Sequence, residues 1–260
     1  MKKIIKKIQN FTKHFAYKIL IFFHGKITGK IKAGNDPRIQ IFKSSFDNRY
    51  EYNIYKVSKA RIYTDRVHDM AIILDNLIVE GPSYQLRPIN NTHVEKNIVF
   101  EKGTPRIKKE IKGTILSLLS GGAGNNNYFH WMFDVLPRIG ICEKVLDTSK
   151  IDYFLLPNLE KKFQSETLDI LGIPKNKRLS SKNFRHISGS QIIATSHPYC
   201  FNNDASNEIQ NIPIWISKWL KKNFLKNNIS DNKKQRNIYI DRSDAESNTK
   251  NFRSITNEEE

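Results

Sequence analysis

Residues 114–138 read Thr114-Ile115-Leu116-Ser117-Leu118-Leu119-Ser120-Gly121-Gly122-Ala123-Gly124-Asn125-Asn126-Asn127-Tyr128-Phe129-His130-Trp131-Met132-Phe133-Asp134-Val135-Leu136-Pro137-Arg138. Thr114–Leu119 is a short apolar run, which suits a strand buried on both faces. Residues 121–127 are rich in Gly and Asn and read as a loop. From Tyr128 to Leu146 apolar residues return at spacings of three and four, so the segment predicts a helix. Strand, glycine loop and helix open a βα unit. The alternation then continues with a strand at Ile151–Leu156, a helix at Phe163–Leu171 and a strand at Gln191–Thr195. A helix at Ile212–Leu225, anchored by Trp215 and Trp219, and a strand at Asn237–Asp241 follow. This order implies an α/β fold with a parallel sheet covered on both faces. Upstream the texture differs. Residues 33–38 are a breaker cluster, and Tyr50–Val57, Arg61–Thr64, Ala71–Leu74 and Leu77–Glu80 read as short strands. Asp75-Asn76 and Gly81-Pro82 mark turns between them. The polar stretch Asn223–Gln235 reads as a linker.

Composition narrows the function classes. The chain has 260 residues, long enough for a core without staples, and 38% of them are hydrophobic, which argues against global disorder. No run approaches the roughly 20 apolar residues of a spanning helix. Cys142 and Cys200 are too few for a disulfide framework or a four-Cys zinc site; two free thiols are a simpler reading than one bridge. The net charge is +17, and residues 1–32 contribute more than half of it, with nine Lys and no acid. That is a basic arm on a mildly basic body, not a specific nucleic-acid binder. Within the arm Ile4, Ile8, Phe11, Phe15, Ile19 and Phe22 recur at helical spacing, with Lys2, Lys3, Lys6, Lys7 and Lys13 largely between them. The pattern predicts an amphipathic helix on an anionic membrane surface, at the cytoplasmic inner face of the cell membrane; each Lys there is worth about 1 kcal/mol. The alternative is a surface helix packed on its own domain.

The loop and helix carry the chemistry. Gly122 and Gly124 fit the start of a dinucleotide fingerprint, but Asn127 stands at the third Gly and no acid ends the next strand. His130 and Asp134 are four apart and share a helix face, with Asn127 one turn before Trp131 and Arg138 one turn after Asp134. A His oriented by a carboxylate can take a proton from a hydroxyl near neutral pH. A cap or a surface contact is the commoner meaning of such a pair. A zinc site fits less well, because H-x-x-x-D lacks the glutamate and the third ligand. Pro137 is expected to bend the helix. His14, His24, His68, His93, His186 and His197 show no partner constellation in the sequence.

Asn127-Tyr128-Phe129-His130-Trp131, with Asp134 and Leu136-Pro137-Arg138, resembles the N-Y-x-H-W-x-x-D-x-L-P-R signature of glycosyltransferase family 61. A second block agrees in order and separation: Tyr239-Ile240-Asp241-Arg242, then Phe252-Arg253-Ser254-Ile255-Thr256-Asn257-Glu258-Glu259. The resemblance covers roughly residues 50–260. It implies a GT-B-type fold of Rossmann-like domains. Residues 1–32 would be the arm. Residues 33–225 would hold a β-rich lead-in and a Rossmann-like acceptor domain, and 236–260 the start of a nucleotide-sugar domain. It also implies inverting transfer of a sugar from a nucleotide-sugar to a glycan acceptor hydroxyl, in building a cell-surface, capsular polysaccharide. His130 would be the base and Asp134 its orienter, or the reverse. Asn127, Tyr128, Trp131 and Arg138 would bind substrate, or Asn127 and Tyr128 would only fix the loop. Arg242 and Arg253 would hold the nucleotide, since guanidinium suits phosphate bidentately. No D-x-D pair occurs, so no metal or other cofactor is expected. The family continues past N-E-E with an H-G-A-G-L-x-N motif that this chain lacks, so a truncated second domain is expected. An inactive relative that binds carbohydrate or a partner protein is the alternative.

Overall fold

A computed structural model of the protein describes residues 11–12, 15, 17–65, 69–85, 94–119, 127–202 and 205–225. The chain divides into two units, Met1–Lys226 and Asn227–Glu260, and every strand and helix described below belongs to the first. The expected strand Asn237–Asp241, the loop residues Gly121–Asn126, and Arg242 and Arg253 lie outside the described residues.

Eleven strands of the described residues form one sheet. They are β1 (Gly29–Ile31), β2 (Ile39–Phe46), β3 (Tyr50–Ser58), β4 (Arg61–Thr64), β5 (Asp69–Leu74), β6 (Leu77–Val79), β7 (Tyr84–Gln85), β8 (Lys109–Ser117), β9 (Tyr153–Leu156), β10 (Arg178–Ser180) and β11 (His186–Thr195). The main path runs β1-β6-β5-β4-β11-β8-β9-β10, with β2 on β3 and β3 on β11. The parallel arrangement expected from residue 114 onward is present, as one part of a larger mixed sheet. β11, β8, β9 and β10 are parallel neighbours, but β3 and β4 both pair antiparallel along the other edge of β11. The upstream strands therefore join the same sheet. Tight turns make this possible. Asp47 and Asn48 both take positive φ in the three-residue connection between β2 and β3, which Arg49 N closes by donating to Phe46 O at 3.1 Å, and Asp75 takes positive φ between β5 and β6.

Only one face carries the long helices. Leu116, Phe154, Leu156 and Ile193 on the strands pack against Trp131, Val135, Ile139, Leu168 and Trp215 from the helices. The opposite face is covered by other strands: Ile115, Leu155, Ile192 and Ala194 meet Val57, Ile62, Ile72 and Leu74. Alternation along β3 shows the two cores, with Tyr52 and Ile54 in the first and Tyr55 and Val57 in the second. Burial on both sides of the sheet is thus correct, but by helices on one side and strands on the other.

The helices Lys162–Ile170 and Ile214–Phe224 fall within two residues of their expected bounds. The arm differs. Residues 17–24 are helical and stop at Gly25, whose φ of +76° is the left-handed conformation that ends a helix, with its N–H donating to the Ile21 carbonyl at 2.8 Å. Ile27 is buried and Gly29–Ile31 pairs parallel with β6, so the last residues assigned to the arm belong to the body. Cys142 and Cys200 are free thiols, without the alternative bridge. No helix of the described residues is long and apolar enough to cross a membrane.

Candidate active site

The helix after β8 is not uniform. Tyr128–His130 is a turn of α-helix, Trp131–Val135 is a π turn, and Pro137–Glu143 is α-helical again. Pro137 explains the break. It has no N–H for the Phe133 carbonyl, so the expected interruption occurs as a widened turn, with Leu136 N donating five residues back to Trp131 O at 3.1 Å. Asn127 caps the helix start: its side chain accepts from His130 N at 3.3 Å.

The widened turn holds the expected pair. His130 Nδ1 lies 2.9 Å from Asp134 Oδ2. The Asp134 side chain is fully buried, whereas that of His130 is 28% exposed. An ionised carboxylate only accepts, so this contact puts the His130 proton on Nδ1 and leaves Nε2 with its lone pair. The second Asp134 oxygen, Oδ1, is buried and has no hydrogen-bond partner among the described residues. Among those residues no group of three or more His, Cys, Asp or Glu is placed to hold a metal ion.

A second histidine faces the same carboxylate, and the sequence reading missed it. His197 Nε2 is 3.9 Å from Asp134 Oδ2. Its Nδ1 accepts from the backbone N–H of Cys200 at 3.0 Å and of Tyr199 at 3.3 Å, so in the neutral ring the proton sits on Nε2, toward Asp134. The loop is held by a buried chain: Trp215 Nε1 donates to the Tyr52 hydroxyl at 2.8 Å, and that hydroxyl donates to Pro198 O at 2.8 Å. His197 stands two residues beyond β11, as the helix stands beyond β8. These parallel strands are adjacent, and β9 lies on the other side of β8. The site thus sits at the carboxyl ends of parallel strands where the strand order reverses, the usual place for ligands in such sheets. Position after a predicted strand was the one signal that pointed to His197.

A model of the family Glycosyltransferase 61 matches residues 128–260. The chain belongs to that family. The match begins at Tyr128, on the first turn of the helix that carries the His130–Asp134 pair. No curated protein and no solved structure matches the chain.

Two of the residues expected to touch substrate in this family 61 chain are corrected. Trp131 is fully buried and donates from Nε1 to Thr167 Oγ1 at 2.9 Å, fastening the site helix to Lys162–Ile170. Arg138 is also fully buried; its Nε donates to Asp134 O at 2.9 Å and its guanidinium to Thr195 O at 3.1 Å. Both position the site from behind. Tyr128 is exposed, with its ring edge-on to Phe163 at 5.1 Å, and remains available for a ligand.

Burial holds His197 down at about 4, outweighing the attraction of Asp134. Burial likewise holds His186 down at about 3; its Nδ1–H donates to Arg106 O at 2.9 Å and its Nε2 receives the Arg61 guanidinium at 3.1 Å. With folded values below the unfolded ones, the unfolded chain binds these protons first as pH falls. Stability is then full above about pH 6.5 and declines from there toward pH 4. We expect a loss of about 2–4 kcal/mol between pH 7 and pH 5, read from urea midpoints, and roughly half that slope in His197→Gln. Equal midpoints at both pH values would contradict the burial of neutral rings.

Proposed function

We propose that this glycosyltransferase inverts, moving a sugar from a nucleotide-sugar to a glycan acceptor hydroxyl, with His130 as base and Asp134 as orienter. The observation that carries the reading is the buried Asp134 carboxylate 2.9 Å from the half-exposed His130 ring. Asp134 has no surface to offer an acceptor, which supports His130 over the reverse assignment. In the step, the acceptor oxygen attacks the anomeric carbon as its proton passes to His130 Nε2. The bond from that carbon to the diphosphate oxygen breaks, and the nucleoside diphosphate leaves with the electron pair. The imidazolium forms against the Asp134 carboxylate, so charge is balanced as the proton arrives. Asn127 keeps the helix start in place, and Tyr128 flanks the acceptor. Arg242 and Arg253 are proposed as bidentate groups for a nucleoside diphosphate, since guanidinium matches phosphate oxygens. The free thiols suit a reducing compartment, which fits work on a capsular polysaccharide at the cytoplasmic side of the cell membrane.

The test incubates the protein with a panel of nucleotide-sugars and glycan acceptors. Nucleoside diphosphate release and the anomeric configuration of the product by NMR are the readouts. Transfer with the configuration opposite to that of the donor is expected. A product that retains it would refute inversion. Glycan binding with no diphosphate release from any donor would favour a carbohydrate-binding relative.

A further inference from the structure

The arm's helix packs on the body, the alternative its sequence allowed, yet leaves its apolar row outside that contact. One face is fastened to the body: the Tyr17 hydroxyl donates to Glu101 O at 3.0 Å, and Ile21 lies against Gly103. His24 O accepts from the buried Arg61 guanidinium at 3.0 Å, and the His24 ring packs edge-on to His186 at 4.6 Å. Tyr17, Ile21 and His24 are four and three apart and so share that face. Phe11, Phe15, Ile19 and Phe22 are four, four and three apart on the opposite one, and all are exposed, Phe22 by 83%. Phe23 beside them is exposed too. A helix docked on its own protein normally turns its apolar row inward. Here docking uses the other side, and the row is left to water.

The body adds to this row. Next to Arg106, whose carbonyl accepts from the His186 ring that packs against His24, is Ile107, 78% exposed. Exposed Lys102, Arg106 and Lys109 stand in the same short segment, with exposed Lys18 and Lys26 on the arm. An apolar row bordered by cations, on an arm with nine Lys and no acid, complements an anionic, apolar-cored surface. A second copy of this chain would bring the same positive charge to the interface.

We infer that the helix ending at His24 and the segment around Ile107 form one docking surface for an anionic lipid bilayer. Because the opposite face is clamped by Tyr17, Ile21 and Arg61, the helix carries the body with it and fixes which side of the protein meets the lipid. The surface stands independently of the transfer reaction, and its test needs no substrate. Deleting residues 1–32 would be a poor test, since it removes β1 and the buried Ile27.

The full chain is sedimented with phosphatidylcholine vesicles containing 0 or about 30% phosphatidylglycerol, at low and high salt. Wild type is expected to bind the anionic vesicles, less so at high salt, and the neutral ones weakly. Phe15→Asp with Phe22→Asp should weaken binding at least tenfold, and Ile107→Asp several-fold, with thermal melting unchanged because these side chains face solvent. Unchanged binding by the double variant would overturn the surface. Unchanged binding by Ile107→Asp alone would overturn its second element. A wild-type dimer by light scattering, monomeric in the double variant and without affinity for vesicles, would assign the row to a second copy instead.

Discussion

Asp134→Asn is expected to lower kcat for glycosyl transfer by about 10²–10⁴-fold, the range for losing a positioned general base. The reason is the tautomer. With Asp134 ionised, His130 donates from Nδ1 across 2.9 Å and keeps its lone pair on Nε2. An amide in the same place can turn its NH2 toward Nδ1, which then accepts, and the ring proton moves to Nε2. Nε2 becomes a donor and cannot take the acceptor proton. Substrate contacts are untouched, because Asp134 is buried, so KM should change little and the loss should fall on kcat. His130→Ala should cost a similar factor. The double variant should cost no more than the worse single one, since the two residues act as a unit. Turnover within threefold of wild type in both single variants would remove the pair from catalysis and leave family membership intact.

Which parts of this site were legible depended on how far apart in sequence the partners lie. His130, Asp134 and the capping Asn127 are within two turns of one helix, and local spacing placed them together. The Pro137 break was legible for the same reason. Arg138 and Trp131 share that helix, yet their roles were misread: a motif shows which residues occur, not which way they point. Trp131 meets Thr167 and Arg138 meets Thr195, contacts that exist only once the helix lies on the sheet. His197 is 63 residues beyond Asp134, and only the parallel pairing of β8 with β11 brings them together. The same non-locality hid the mixed sheet. β3 and β4 read correctly as strands, but nothing local says that their partner is β11, more than 120 residues later. β2 was missed because Gln40, Lys43, Ser44 and Ser45 interrupt its apolar alternation, and its turn, Asp47-Asn48, carries no glycine.

Arg138 carries the other large effect, on stability. Its guanidinium is fully buried and spans two elements, donating from Nε to Asp134 O and from an Nη to Thr195 O and Thr195 Oγ1. Arg138→Ala leaves these acceptors buried and opens a cavity, so a loss of about 3–5 kcal/mol is expected in urea unfolding. Arg138→Lys should recover little, because one ammonium cannot reach both carbonyls in the geometry of a planar fork. Arg138→Met separates charge from packing: it fills the space and removes the cation. If packing alone mattered, Arg138→Met would be nearly as stable as wild type, and the network would be refuted as a stabilising element. If the cation matters, Asp134 in that variant is a buried carboxylate that has lost a nearby positive charge, with Oδ1 already lacking a hydrogen bond. Asp134→Asn should then destabilise wild type but restore part of the stability of Arg138→Met. A double-mutant cycle would show this as a coupling of about 1–3 kcal/mol. The same cation would thereby keep the helix fixed to the end of β11, linking the stability of the core to the position of the carboxylate that orients His130.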